Sequence, residues 1–176
     1  MHKKMMKKIF LIILVLIAFT QIAEAKFNIF AYSREAPKTK IFDLEGRAVS
    51  LHDFKNDFLI VVFWSKTCIP CLREMKDLSR FVDKVKNDGI KVILVSPEKE
   101  WTSKAEQAMI LKKYGGEKLD VYLDRKSDLG NEFGIFTSPH SVLIDENSME
   151  IGRVRGAIDW DDEDVIEYIY KLKAQD

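Results

Sequence analysis

The chain has 176 residues, 28 basic and 28 acidic side chains, 47% hydrophobic and 32% charged content. That suffices for one globular domain with its own core and excludes a largely disordered or strongly basic chain. Residues 1–25 hold four lysines and one glutamate, so the remainder carries 24 basic against 27 acidic residues, net −3, and no nucleic-acid partner is expected.

The first 25 residues have the layout of an export signal. Lys3, Lys4, Lys7 and Lys8 form a basic start, and Ile9 to Phe19 is apolar without a break. Ala23-Glu24-Ala25 offers a small-x-small cleavage site, so the mature chain is expected to begin at Lys26. Ile9 to Ala23 gives fifteen uncharged residues, short of the ~18 expected of a membrane span; an uncleaved segment would instead leave a membrane tether. No cysteine lies nearby to carry a lipid. Either way the domain is expected outside the cytoplasm, in the periplasm or an equivalent compartment, where disulfide chemistry is available.

Residues 26–35 read as a poorly ordered lead-in, and 36–176 as one domain. Lys40 to Leu51, with Gly46 at its turn, reads as a hairpin. Phe58 to Trp64 is an unbroken apolar run, the signature of a strand buried on both faces. Leu72, Met75, Leu78, Val82 and Val85 then recur at helical spacing, with Phe81 widening the stripe, up to a stop near Gly89. Ile90 to Ser96 is the next buried strand, which makes a βαβ unit with a parallel pair. After a loop from Pro97 to Trp101, Thr102 or Ser103 can cap a helix reaching about Tyr114 before Gly115-Gly116. Leu119 to Leu123 is a short strand, and Ser127 or Asp128 opens a brief helix ending at Gly134. Ser141–Ile144 and Met149–Val154 flank the turn Asp145 to Ser148 as an antiparallel hairpin. Asp161 to Lys173, acidic at its start and basic at its end, is the last helix.

The chemistry lies at the junction of the first buried strand and its helix. Cys68 and Cys71 are the only cysteines in the sequence, three positions apart. The first turn of a helix leaves backbone N–H groups unpaired and carries the positive end of the macrodipole. A thiolate at Cys68 is stabilised there, which lowers its pKa below the free-thiol value of ~8.5. Cys71 lies one turn further in and can bond the first sulfur. Pro70 fits because the first turn needs no donor from it. Lys66 and Arg73 add positive charge, unless they are simply solvated. A static bridge is the alternative, but so small a loop constrains the unfolded chain little. Structural zinc wants four ligands, and there is no second cysteine pair. A thiol peroxidase would need P-x-x-x-T-x-x-C, where this chain has Val61, Ser65 and Cys68.

The pattern resembles the extracytoplasmic TlpA/ResA-like branch of the thioredoxin superfamily over Ala36 to about Leu172. The likeness rests on Ala36-Pro37, the Gly46–Leu51 hairpin, Phe63-Trp64 with the C-x-x-C pair, and Glu74. It rests also on Thr137-Ser138-Pro139 before Leu143-Ile144-Asp145, and on Gly156 to Trp160. It implies an α/β, thioredoxin-like fold: a mixed central sheet flanked by helices, with an added N-terminal β-hairpin. It implies that Pro139 is a cis-proline beside the cysteines, offering with Ser138 a place for a client strand, and that Trp64 shields the site. Glu74, at i+3 from Cys71, shares a helix face with it and can manage its proton; the superfamily's better-known acid position holds Val62. His140 stands where threonine is more usual; it can tune the thiolate, complete a soft-metal site with the two sulfurs, or merely pack, and is not placed in the catalytic set. Thr67 and Lys76 also depart from the usual pattern.

The expected activity is thiol–disulfide exchange, reducing client disulfides such as those of apocytochrome c, with a membrane thiol carrier as electron donor and no cofactor or metal. A disulfide oxidase or isomerase built from the same residues is the main alternative, and a copper-handling module is another.

Overall fold

The computed structural model describes residues 27–175; the expected export signal lies outside them. Eight strands form one mixed sheet: β1 Phe27–Glu35, β2 Ile41–Phe42, β3 Ala48–Val49, β4 Phe58–Phe63, β5 Ile90–Pro97, β6 Asp120–Asp124, β7 His140–Ile144 and β8 Met149–Arg155. Their spatial order is β1-β8-β7-β4-β5-β6-β2-β3. The helices are α1 Ile69–Val85, α2 Lys104–Tyr114, α3 Asp128–Phe133 and α4 Glu163–Lys173.

β4 is central because every residue in it is apolar and every one is buried. It runs parallel to β5, with Phe58 opposite Ile90 and Phe63 opposite Val95, and antiparallel to β7, with Leu59 opposite Ile144. Successive side chains of a strand point to opposite faces. Ile60, Val62 and Trp64 thus join the core beneath α1 and α4, where Leu78, Phe81, Val165 and Ile169 lie. Leu59, Val61 and Phe63 join a second core with Leu129 and Phe133 of α3 and Leu51. The sheet is the wall between two cores, and β4 ends at its rim where α1 begins.

The helix signals act through their caps. Ser103 accepts the N–H of Glu106 at the start of α2, and Asp162 that of Asp164 at the start of α4. The last helix therefore begins two residues after the expected Asp161. Gly115 and Gly134 close α2 and α3 in the left-handed region, at φ +77° and +67°. β2 and β3 pair antiparallel around Gly46, and β7 and β8 pair antiparallel around the Asp145–Ser148 turn.

The stretch 27–35 corrects the sequence reading. It is no loose lead-in: β1 pairs antiparallel with β8, Phe27 opposite Val154 and Ile29 opposite Gly152, before an irregularity that resumes at Arg34 opposite Glu150. Phe27 packs edge-on to Tyr168 of α4, 4.9 Å between ring centroids. The Arg34 guanidinium reaches Glu150 at 2.6 Å, and the same buried carboxylate takes Arg153 at 2.6 Å. Gly152 makes the pairing fit, since a Cβ there would lie 2.7 Å from Ile29 Cδ1 and 2.9 Å from the backbone oxygen of Asn28. Gly152→Ala should therefore force β1 off the sheet edge. The expected result is a loss of about 1–3 kcal/mol in urea unfolding, with amide exchange protection lost at Phe27 to Ile29. Unchanged protection there would refute this account of the edge.

Candidate active site

The turn from β4 into α1 is built by backbone bonds. Trp64 N–H reaches Val95 O at 3.0 Å, extending the strand by one bond, and Cys68 N–H closes a turn on Ser65 O at 3.1 Å. Cys68 is the N-cap of α1, with extended backbone angles φ −81° and ψ 95°, and Pro70 lies in the first turn. Its sulfur does what a serine or aspartate oxygen does at other helix starts: it accepts the Cys71 N–H at 3.2 Å. The two cysteines are joined as a disulfide, with Cα atoms 5.3 Å apart. Cys68 is partly exposed, whereas Cys71 is fully buried. One sulfur can thus be reached by a client and the other can only be reached through the first.

A cleft of about 600 Å³ opens beside Cys68. Its lining includes Ile69 and Pro70, Phe136 to Ser138, and Ser96 and Pro97. The Ser138–Pro139 peptide is cis; Ser138 is exposed and Pro139 buried. Ile69 and Phe136 are 59% and 84% exposed, so the rim of the cleft is apolar and open. Trp64 lines the cleft but is 1% exposed, contributing wall rather than open surface, and it packs on Trp101 at 5.3 Å. Phe136 was not singled out from the sequence; its only signal there is an aromatic residue in the short loop after Gly134.

Two carboxylates face the cleft that sequence reasoning also passed over. Glu100 accepts the Lys66 N–H at 3.3 Å. Asp124 is buried, and desolvation pushes its carboxyl above the usual value although the N–H groups of Gly130 and Leu129 pull it back. It serves the start of α3.

Glu74 lies where the sequence places it, one turn beyond Cys71 on α1, and is 3% exposed. Its Oε2 accepts the N–H of Ile158 at 3.3 Å. A second hollow of about 260 Å³, lined by Pro70, Arg73, Glu74, Asp77 and residues 157–159, connects this carboxylate to the surface.

His140 takes a different place from that of a partner to the sulfurs. In the register it is directly opposite Phe63, so its side chain belongs to the α3 side of the sheet, while Cys71 belongs to the α1 side. It is 6% exposed and its Nε2 has no hydrogen-bond partner among the described residues. Burial, with Arg153 and Arg155 nearby, lowers its pKa to about 4. Among the described residues no three His, Cys, Asp or Glu side chains are grouped to hold a metal ion.

A disulfide that ties the N-cap of a helix to its first turn, one sulfur open and one sealed, beside a cis-proline loop at the rim of a mixed sheet defines a thioredoxin-like thiol–disulfide oxidoreductase. The comparisons agree. The AhpC/TSA family pattern matches residues 32–168, and the chain belongs to that family. It is 30% identical over 139 residues to the thiol-disulfide oxidoreductase ResA of Bacillus thuringiensis subsp. konkukian, covering 79% of this chain and 77% of the relative. The ResA of Geobacillus thermodenitrificans is 25% identical over 81% of this chain and 79% of its own length. Among solved structures, a thiol:disulfide interchange protein DsbE from Chlorobium tepidum superposes with a TM-score of 0.67 at 23% identity, over 80% of this chain and 96% of that one. StoA from Bacillus subtilis does so with a TM-score of 0.60 at 24% identity, over 75% and 98%. These two likenesses are of fold.

The depressed His140 has a consequence for stability. Its pKa falls from 6.5 in the unfolded chain to about 4 in the native one. Between those values the unfolded state binds a proton that the native state refuses, so stability held above pH 6.5 drains away as pH falls toward about 4. The loss by about pH 4.5 is on the order of 2–3 kcal/mol. His140→Phe should flatten that part of the urea-midpoint profile between about pH 7 and 4.5; an unaltered slope would contradict the assignment.

Proposed function

We propose that this oxidoreductase works outside the cytoplasm as a reductant of client disulfides. The observation that carries the reading is the asymmetry of the pair: Cys68 partly exposed at the cap of α1 and Cys71 sealed behind it. With the pair reduced, the Cys68 thiolate attacks one sulfur of a client disulfide, forming a mixed disulfide and expelling a client thiolate. Cys71 gives up its proton and attacks Cys68 Sγ, closing the intramolecular bridge and releasing the second client thiolate. Two electrons have passed to the client, and the protein is left in the disulfide form seen here.

Glu74 is the group suited to hold the Cys71 proton. It is buried one turn along the same helix, and the hollow beside it offers a way out to solvent. Ser138 lines the cleft that Cys68 opens on, and Pro139 follows it through a cis peptide; an extended client segment is suited to lie along this loop, and the apolar rim of Ile69 and Phe136 suits a client whose disulfide is flanked by hydrophobic residues. Apocytochrome c thiols, oxidised before haem attachment, are the client class we favour. The cycle needs electrons, which a membrane thiol carrier would deliver to the bridge. Export through the segment 1–25, cleaved or retained as a tether, supports the location. No described helix is long and apolar enough to cross a membrane.

The test is trapping. Cys71→Ser removes the resolving sulfur, so the variant should accumulate disulfide-linked client through Cys68 in the exported fraction, released by dithiothreitol. A Cys68→Ser variant should trap nothing. Equal trapping by both, or by neither, would overturn the proposal.

A further inference from the structure

Lys66 lies two residues before Cys68 and is fastened at three points. Its N–H reaches Glu100 Oε2 at 3.3 Å, its Nζ reaches Glu106 Oε1 on α2 at 2.6 Å, and the ammonium lies 5.4 Å from the centre of the Trp101 ring. Trp101 is itself fixed: its indole N–H donates to the buried Ser96 Oγ at 2.8 Å, and its ring packs on Trp64. Glu106 is fixed as well, accepting Thr102 N–H at 2.9 Å and Thr102 Oγ1–H at 2.8 Å on its other oxygen. The Lys66 and Glu106 side chains are each 23% exposed, so the pair is partly shielded from solvent.

We infer that Lys66 and Glu106 form a charge-neutral clamp, which fastens the loop carrying Cys68 to α2 while cancelling the cation ahead of the sulfur. The inference rests on the reading of Cys68 as the attacking thiol. An isolated ammonium at this point of the loop would acidify Cys68 further and favour the reduced dithiol, making the protein a poorer reductant. An isolated carboxylate would do the reverse. With both present, the acidity of Cys68 is left to the helix cap and to the other charges around it. Those are Glu100 from the segment after β5 and Asp124 from β6, which line the cleft beside it, and further along α1 Arg73 and the buried Glu74, which line the second hollow. Glu106 is held down to about 2, first by the Lys66 hydrogen bond and then by Thr102, so it stays a carboxylate throughout the range in which a thiol titrates. Lys66 and Glu106 are positioning residues; neither is required to touch a client.

The clamp is tested by the pH dependence of iodoacetamide alkylation of Cys68 in the reduced protein, in wild type and in Glu106→Gln, Lys66→Met and the double variant. Glu106→Gln should move the alkylation midpoint down by about half a unit and Lys66→Met up by a similar amount, with added salt shrinking both shifts. The double variant, neutral again, should return close to wild type. In equilibrium with glutathione, Glu106→Gln should favour the reduced dithiol by roughly threefold over wild type at a pH above the midpoint. Singles that shift in the same direction, or not at all, would overturn the clamp and leave a contact of structure alone. A wild-type midpoint at the free-thiol value would instead overturn the functional reading, while the signs of the two shifts would still decide the clamp.

Discussion

One hydrogen bond sets the terms for the site: the N–H of Cys71 pointing at the sulfur of Cys68. A helix must do something with the donors of its first turn, and here a sulfur takes the role usually given to a side-chain oxygen. That choice makes one atom both a structural cap and a reactive centre. It stabilises the sulfur most when the sulfur is an anion, so forming the helix and activating the thiol are one event. The pair is ordered by the face on which Cys71 lies: it shares the buried stripe of α1 with Met75 and Leu78, so its sulfur is sealed while that of Cys68 is not.

The rest of the fold keeps that turn in place. β4 is buried along its whole length and is held on both sides by β5 and β7, so its end has little freedom. β7 arrives antiparallel beside it, which brings the Ser138–Pro139 loop to the same rim as Cys68. β5 arrives parallel, which brings Ser96 and Pro97 into the lining of the cleft and sends the chain on to Trp101 and α2. Cys68, the cis-proline loop and α2 therefore meet because three adjacent strands have their ends at one edge, although residues 68, 104–114 and 139 are far apart in sequence.

This explains what could be read from the residues and what could not. The apolar run 58–64, the stripe on α1 and the two cysteines are local patterns, and local periodicity is what burial on a strand or helix imposes. β1 escaped because its alternation is weak and its register depends on Gly152, some 120 residues away, having no side chain for Ile29 to meet. Glu74 was legible because its relation to Cys71 is set by one helical turn. His140 was legible as a neighbour of Pro139 but not as a residue on the far side of the sheet, since that depends on which partner it faces in β4. Lys66 looked like a free cation for the same reason: Glu106, which neutralises it, belongs to another helix and is 40 positions on. Caps, in contrast, were found within a residue or two, because Ser103 and Asp162 satisfy donors next to them in the chain.

The claim on which the account stands is that the two sulfurs are unequal, and that the outer one is acidic because it caps a helix. Differential alkylation of the fully reduced protein at neutral pH, with the modified cysteine located by mass spectrometry, tests this most directly. The account predicts that Cys68 reacts faster than a free cysteine and reaches full labelling before Cys71 is touched. Equal labelling of the two, preference for Cys71, or a Cys68 rate no greater than that of free thiol would contradict it.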